Sequence, residues 1–391
     1  MVQTQAIVTG TASHPMNTSF TDDYRQARER FVYAAHAVGA HVESVIHPTL
    51  RAPDGSDLAI DLAWRGPVDA PRVLLVTSGM HGFEGPAGSA VQSAWLENAF
   101  KSPPPGTAIL MVHALNPWGF AWVSRLTENN VDLNRNFVDW NAPPPANPLY
   151  AHVRDLIRVP DMSLETLAHL LGAQQRLTAE LGPAAMQVAV DFGQYDDEGG
   201  ISFGGMGPEF GHRVVRDRVV PKLAHAKHIG VVDWHTGVGA FGEIAVLPID
   251  GPGSANAKRL AAWWGEDLVE RWKRSPLEEA IAQDPKLSAM PQLKTGQMKQ
   301  ALARWLPHAE MTGAVVEFGT ERDGALPDLV YVTLYERWLR FVDRSDRMAD
   351  AHAHFRATAR KCFVPDDAPW RALVLSEGPK LIDLALEGLA R

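Results

Sequence analysis

One cysteine, Cys362, stands among 391 residues. Internal disulfides and cysteine-rich zinc modules are thereby excluded. No uncharged apolar run reaches the ~18–20 residues that a membrane helix needs, so no membrane partner is expected. The first twenty residues, MVQTQAIVTGTASHPMNTSF, have neither a basic start nor an apolar block. No signal peptide is expected, and a cytoplasmic location is. Basic runs are also missing. The formal net charge is −9, which makes nucleic acid a poor partner. No G-x-S-x-G elbow follows a buried-strand run, against a serine α/β-hydrolase. No G-x-G-x-x-G is expected after a strand and no phosphate-cradling G-x-x-x-x-G-K-[ST] occurs, so no nucleotide cofactor is expected. What is present is ordinary for a globular chain: 46% hydrophobic and 21% charged residues exclude wholesale disorder. The twelve tryptophans read as packing anchors.

Periodicity organises the rest. TDDYRQARERFVYAAHAVG (21–39) reads as a helix capped by Thr21, with Asp22 and Asp23 at its positive end and Gly39 at its stop. Strand-like runs follow at 41–46 and 58–64, with PDG between them. RVLLVT (72–77), AILMVHAL (108–115), HIGVVDWH (228–235) and AVVEF (314–318) are short apolar runs of the buried-strand kind. Helical patterns lie between them, at 86–100, 164–181, 209–226, 255–274 and 295–306. Strands alternating with helices imply an α/β fold with a largely parallel sheet covered on both faces. The Pro-rich stretches 102–106 and 142–148 read as loops. Residues 143–208 lack a buried-strand pattern and read as a helical and loop insertion. From about 328 to 391 the chain reads as a helical C-terminal extension. No repeat and no long linker divides it, so a single domain, 1–391, is expected, with its motif core at 72–320.

Reactive residue types fall just where these strands end, the edge at which open α/β sheets bind ligands. RVLLVT leads to His81 and Glu84, AILMVHAL to Asn116 and its neighbours, VVDW to His235 and AVV to Glu317. A His and a Glu three apart can chelate one metal from a single loop, and the glycines at 79, 82 and 85 permit the tight backbone this needs. His235 is the natural third ligand, since two histidines and one carboxylate with an open position form a recurrent catalytic zinc set. Asp233 and Thr236 are neighbours suited to orient it. The same donors also suit non-haem iron. Glu317 reads as a general base or as half of a buried salt bridge with Arg125 or Arg135. The stretch 124–137, SRLTENNVDLNRNF, adds two arginines and several amides, a carboxylate clamp. Metal, base and clamp together suit hydrolysis of an amide beside a free carboxylate, which favours zinc over iron.

HGFE, NPWGF, R-x8-NRN, DWHTG and VEFGT, in this order, resemble the zinc metallocarboxypeptidases of the carboxypeptidase A and cytosolic carboxypeptidase type. The style is closest to a bacterial branch catalogued as a domain of unknown function. NVDLNRNF is the most diagnostic stretch. The resemblance implies a mixed sheet of about eight strands between helices. It implies one Zn2+ per chain on His81, Glu84 and His235. Arg125 would stabilise the oxyanion, Asn134 and Arg135 would hold the terminal carboxylate, and Glu317 would be the general base. The implied partner is a peptide, or a small peptide-like compound, with a free carboxylate. Two departures stand out. The family's tyrosine before the catalytic glutamate has no counterpart, because no tyrosine lies between 249 and 317. No residue of the family's side-chain specificity pocket aligns by motif. Two other readings share the motifs: a zinc-dependent N-acyl amino acid deacylase of the aspartoacylase or succinylglutamate desuccinylase kind, and a catalytically silent binding protein of the same fold.

The remaining polar residues read blandly. His113 is a core histidine, His225 and His228 flank a strand, and His352 and His354 point apart on a helix. Cys362 is a packed small hydrophobe. Trp263 and Trp264 share a helical segment, with one ring buried and the other partly exposed.

Overall fold

The computed structural model describes residues 20–251, 253–271, 280, 283–288 and 296–391. Helix α1 (Tyr24–Ala37) precedes the hairpin β1 (His41–Arg51) and β2 (Asp57–Arg65). Strand β3 (Arg72–Thr77) leads to α2 (Gly85–Ala94), and β4 (Thr107–His113) follows. Then come α3 (Leu164–Leu181), α4 (Pro183–Asp191), β5 (His228–Thr236), β6 (Ile244–Pro248), α5 (Ala255–Trp264), α6 (Met298–Trp305) and β7 (Glu310–Phe318). Helices α7 (Leu326–Trp338), α8 (Ala353–Phe363) and α9 (Ala368–Leu389) close the chain. No helix among the described residues is long and apolar enough to cross a membrane.

The fold is α/β, with one mixed sheet of seven described strands where about eight were expected. Their order is β1-β2-β4-β3-β5-β7-β6. The centre, β4-β3-β5-β7, is parallel, and β2 and β6 pair antiparallel at its two flanks. Strand β6 escapes sequence reading because it is five residues long, ends in Pro248 and holds an edge. Side-chain alternation divides the core. Leu74, Val76, Val232, Trp234, Val316 and Phe318 face the layer of α1, α2, α5 and α9. Val73, Leu75, Leu110, Val112, Ile229 and Val231 face Val214, Leu223, Met298 and Leu302. Helix α2 is buried along its whole length, because GPAGSAVQSA is almost all small residues and lies close to the sheet.

Some local expectations change. Asp23, not Thr21, caps α1, accepting from the backbone N–H of Gln26. Thr21 instead accepts from the N–H of Asp23 at 3.1 Å, and aspartate is the stronger capping acceptor. Both Trp263 and Trp264 are buried, edge to face at 6.2 Å between ring centroids. The helical run after 328 is broken at Arg344, which takes a left-handed conformation (φ 56°). GVGAFG at 237–242 has G-x-G-x-x-G spacing directly after β5, yet it turns into β6. It therefore lacks the helix N-terminus that makes such a loop a dinucleotide site. Trp95, Trp234 and Trp370 are among the largest fully buried side chains, as packing anchors should be. Cys362 is buried, and burial pushes its thiol up to about 11, away from thiolate chemistry.

His113 is fully buried in β4. Its Nε2 meets Ser89 Oγ at 2.8 Å, stacking on Phe31 covers its ring, and Nδ1 has no partner. Burial pulls its pKa down to about 4. The fold thus holds a neutral ring, and the unfolded chain takes up a proton below its ordinary pKa of about 6.5. The stabilisation is complete above pH 6.5 and is lost as pH falls through the window to 4. Unfolding free energy from denaturant titrations should fall by up to roughly 3 kcal/mol on this account. In His113→Gln that portion of the slope should disappear.

Candidate functional site

His81 leaves the sheet one short loop after β3. Gly79 in that loop takes φ 67°, and a Cβ there would lie 2.6 Å from the Cβ of Ala114. Gly82 presses against another backbone, so a Cβ on it would collide with Gly119 and with the carbonyl of Ser124. The helical turn Pro117–Ala121 offers this close approach because Asn116 caps it, accepting from the N–H of Gly119 at 2.8 Å. The N–H of Gly82 then donates to the carbonyl of Arg125 at 3.2 Å. NPWGF thus works as a spacer that lays the Arg125 loop against the His81 loop.

Strand register sets the rest. Thr77 pairs with Asp233 across β3 and β5, and His235 pairs with Glu317 across β5 and β7. Asp233, His235 and Glu317 therefore share one face at the carboxyl end of the parallel strands, while Trp234 points into the opposite layer.

His81, Glu84 and His235 converge, all buried, with one donor atom from each within 4.8 Å of the others. Among the described residues no second group of this kind occurs. Glu84 lies between the rings. His81 Nδ1 is 2.7 Å from one carboxylate oxygen, and His235 Nδ1 is 2.9 Å from the other. The far nitrogens meet acids as well: His81 Nε2 lies 3.3 Å from Asp132, and His235 Nε2 lies 3.0 Å from Asp233. Asp233 is itself held by Thr77 Oγ1 at 2.6 Å. A carboxylate on Nε2 keeps a proton there when Nδ1 gives up its own to a cation, the usual support of a ligating histidine. Two imidazoles and a carboxylate with Nδ1 atoms so oriented are a donor set that fits a divalent ion.

The charges agree. Burial acts to raise the pKa of Glu84, but the charges of His81 and His235 outweigh it and hold the carboxyl far below its usual range. Burial acts to lower that of His235, and the carboxylates of Asp233 and Glu84 overcome it. The cluster is built to concentrate negative charge around one cationic centre.

Asp132 is the residue that sequence reading passed over. It is buried in NVDLNRNF and does three things. One oxygen caps the turn Leu133–Asn136 through the N–H of Asn134 at 3.0 Å and meets His81. The other accepts from Arg125 at 2.7 Å. The guanidinium of Arg125 thus lies against the His81 ring, 3.0 Å from Nε2. The motif announced Asp132, but nothing in its one-dimensional context separated a structural cap from a holder of His81.

Asn134 and Arg135 sit beside this pair, buried, and line the same cavity. Arg135 spends Nε and one terminal nitrogen on the carbonyl of Asp191, at 3.0 and 2.6 Å. Asn134 accepts from the N–H of Met298 at 3.3 Å. Glu317 forms no ion pair among the described residues. It accepts only from the N–H of Val238, at 3.4 Å, and burial raises its pKa to about 8 against the pull of His235. Neither Arg125 nor Arg135 partners it, so the buried-salt-bridge reading of Glu317 has no structural counterpart. Thr236 contributes its backbone, donating to Glu84 at 3.2 Å.

These residues open into a cavity of about 980 Å³. Its far walls come from helices α3, α4 and α7, including Leu170, Met186, Val190 and Leu329. No tyrosine is among its described lining residues. Tyr331 and Tyr335 pack instead against each other and around His352, His354 and Phe355.

A family model described as "Protein of unknown function (DUF2817)" matches residues 20–377. The chain belongs to the DUF2817 family. Comparison with curated proteins finds no match. Among solved structures, this DUF2817 member is similar to bovine thrombin-activatable fibrinolysis inhibitor in complex with tick carboxypeptidase inhibitor. The identity is 12%, the TM-score 0.41, and 93% of this chain and 97% of that one are covered. It is also similar to carboxypeptidase A from Helicoverpa armigera, at 14% identity and TM-score 0.43, covering 84% and 74%. A third is a metallo-carboxypeptidase from Pseudomonas aeruginosa in complex with (2-guanidinoethylmercapto)succinic acid, at 16% identity and TM-score 0.35, covering 82% and 69%. At such identities and scores the chemistry of this DUF2817 site rests on its own residues.

Proposed function

We propose that this DUF2817 protein is a zinc-dependent hydrolase that removes the C-terminal residue of a peptide or peptide-like substrate. The observation that carries the reading is the pair of Nδ1 atoms meeting the two oxygens of Glu84 while both Nε2 atoms are held by Asp132 and Asp233. The motif resemblance to metallocarboxypeptidases supports it, and so does a separate buried carboxylate, Glu317, on the strand next to His235.

His81, Glu84 and His235 would hold the ion. A zinc ion there supplies Lewis-acid chemistry, acidifying water and polarising an acyl oxygen. Arg135 and Asn134 bind the substrate's terminal carboxylate, which places the last amide bond near Glu317. Glu317 takes a proton from the attacking water and passes it to the leaving amine nitrogen. Arg125, oriented by Asp132, donates to the developing oxyanion. The apolar walls keep bulk water from competing.

Elemental mass spectrometry of the purified protein should find about one zinc per chain. His81→Ala should lose it. Asp132→Asn should keep a full donor set but bind zinc roughly 10–100-fold more weakly, as expected when a carboxylate behind a ligating histidine is neutralised. A chain that takes up no zinc when supplied with it would overturn the reading. C-terminally free peptides, blocked peptides and N-acyl amino acids then separate the activities. Cleavage of acyl amino acids alone would make the protein a deacylase.

A further inference from the structure

Arg337 sits on α7 in the wall of the same cavity, buried to 4% exposure, and among the described residues no acid forms a salt bridge with it. One terminal nitrogen donates to the carbonyls of Gly200 and Gly199. Its Nε is buried with no partner. Two acids lie within reach of its charge, and both are engaged elsewhere. Glu336 accepts from Ser124 Oγ and faces Arg347 at 3.5 Å. Asp197 accepts from the hydroxyl of Tyr150 at 2.7 Å and lies 3.6 Å from Arg158. Burial, and then repulsion from Arg125, act against the charge of Arg337.

The charge of Glu336 offsets this burial only in part, because Arg340 and Arg347 share it, and a guanidinium buried without a carboxylate of its own is expensive. Along α7 the cavity wall is mostly apolar, with Leu329, Val330, Val332 and Leu334 beside Thr333 and Glu336, and for packing alone a methionine would fill the place of Arg337. Holding two backbone carbonyls needs only a neutral donor such as glutamine. Neither packing nor the backbone contact accounts for a full positive charge at this place. A carboxylate arriving with the substrate does.

We infer that Arg337 is a specificity residue that binds a second carboxylate of the substrate, so that the preferred substrate is a dianion with an acidic side chain as well as a terminal carboxylate. The inference rests on the hydrolase reading of the cavity and names its substrate class. Arg135 takes the terminal carboxylate, and Arg337 takes the side-chain carboxylate of the last residue or of the one before it.

Four N-acetylated dipeptides test this: alanyl-glutamate, glutamyl-alanine, and the corresponding glutamine isosteres. Calorimetry on the zinc-supplied Glu317→Gln chain measures binding without turnover. The acidic member of at least one pair should bind about tenfold or more tightly than its amide isostere. Adding Arg337→Gln should bring that ratio to within about twofold, with affinity for the amide peptide unchanged. A mere clasp for residues 199 and 200 would instead weaken all four peptides alike and lower the melting temperature, which overturns the proposal. Equal binding of acid and amide without any change at Arg337 overturns it directly, whether or not Arg337→Gln folds. Arg337→Lys keeps the charge and loses the fork, so its ratio should fall between the two, and an unchanged ratio counts against the proposal. Release of the C-terminal residue by the wild-type protein is followed in parallel. Acidic preference in binding without any release would leave this inference standing and sink the hydrolase reading. Release without acidic preference would do the reverse.

Discussion

Replacing Glu317 with glutamine should lower turnover by about 10²–10⁴-fold, the usual contribution of a positioned general base, and leave the zinc content unchanged. The two halves of the expectation come from different observations. Glu317 is not one of the three converging donors, so the metal loses no ligand. Its carboxylate accepts from the N–H of Val238, a bond that the amide oxygen of glutamine can keep. What glutamine cannot do is accept and return a proton. The metal-free fold should be no less stable in the variant, because burial works against the ionised carboxylate and no cation is paired with it. Activity assays, elemental analysis and denaturant midpoints measure the three parts separately. Retained turnover would move the base to another residue. Lost zinc would make Glu317 part of the metal site.

The legible part of this protein was the part written in short apolar runs. Each of β3, β4, β5 and β7 is buried on both faces, so each leaves an unbroken hydrophobic signature, and the candidate site residues follow directly at the strand ends. His81, Glu84 and His235 could be placed together because a parallel sheet brings its strand ends to one edge. The hidden part depends on contacts between distant segments. Asp132 looks like any Asp before a helical turn until His81 and Arg125 are seen on its two oxygens. Arg337 looks like a surface arginine within ERW, where a charge run of α7 would predict solvent, and only the fold turns it into the cavity. Helix α3 was readable as a helix over its whole length, yet not one of its residues is buried, because its apolar side faces the cavity rather than a core. Hydrophobic periodicity marks a covered face and is silent on whether protein or ligand covers it.

Glu336 should be more costly to remove than Glu317, although it carries no chemistry. Three guanidiniums, those of Arg337, Arg340 and Arg347, crowd its buried carboxylate. Burial brings Arg340 down to about 9, and the charge of Glu336 is the largest influence opposing that fall. Taking Glu336 away strands the cations, and breaking a buried pair from one side typically costs 3–5 kcal/mol. Against about 5–15 kcal/mol for a whole domain, Glu336→Ala should shift the denaturant midpoint severely. Glu336→Gln should lose most of the same amount, because it restores the bond from Ser124 and leaves the charges unopposed. If glutamine were instead as stable as the native chain, packing and not charge would be the reason Glu336 is there. Adding Arg347→Met to Glu336→Gln should recover part of the loss. The consequence reaches the site. Arg347 also donates to the carbonyl of Val123 at 2.9 Å, and Val123 is a β-branched residue held at φ 51°. Such a backbone is strained and persists only when its surroundings hold it. Two residues later stands Arg125. Loosening Glu336 and Arg347 should release the strained turn that leads to Arg125, the residue proposed to stabilise the oxyanion. Turnover in Glu336→Gln should therefore fall even at temperatures where the fold persists, with zinc still bound.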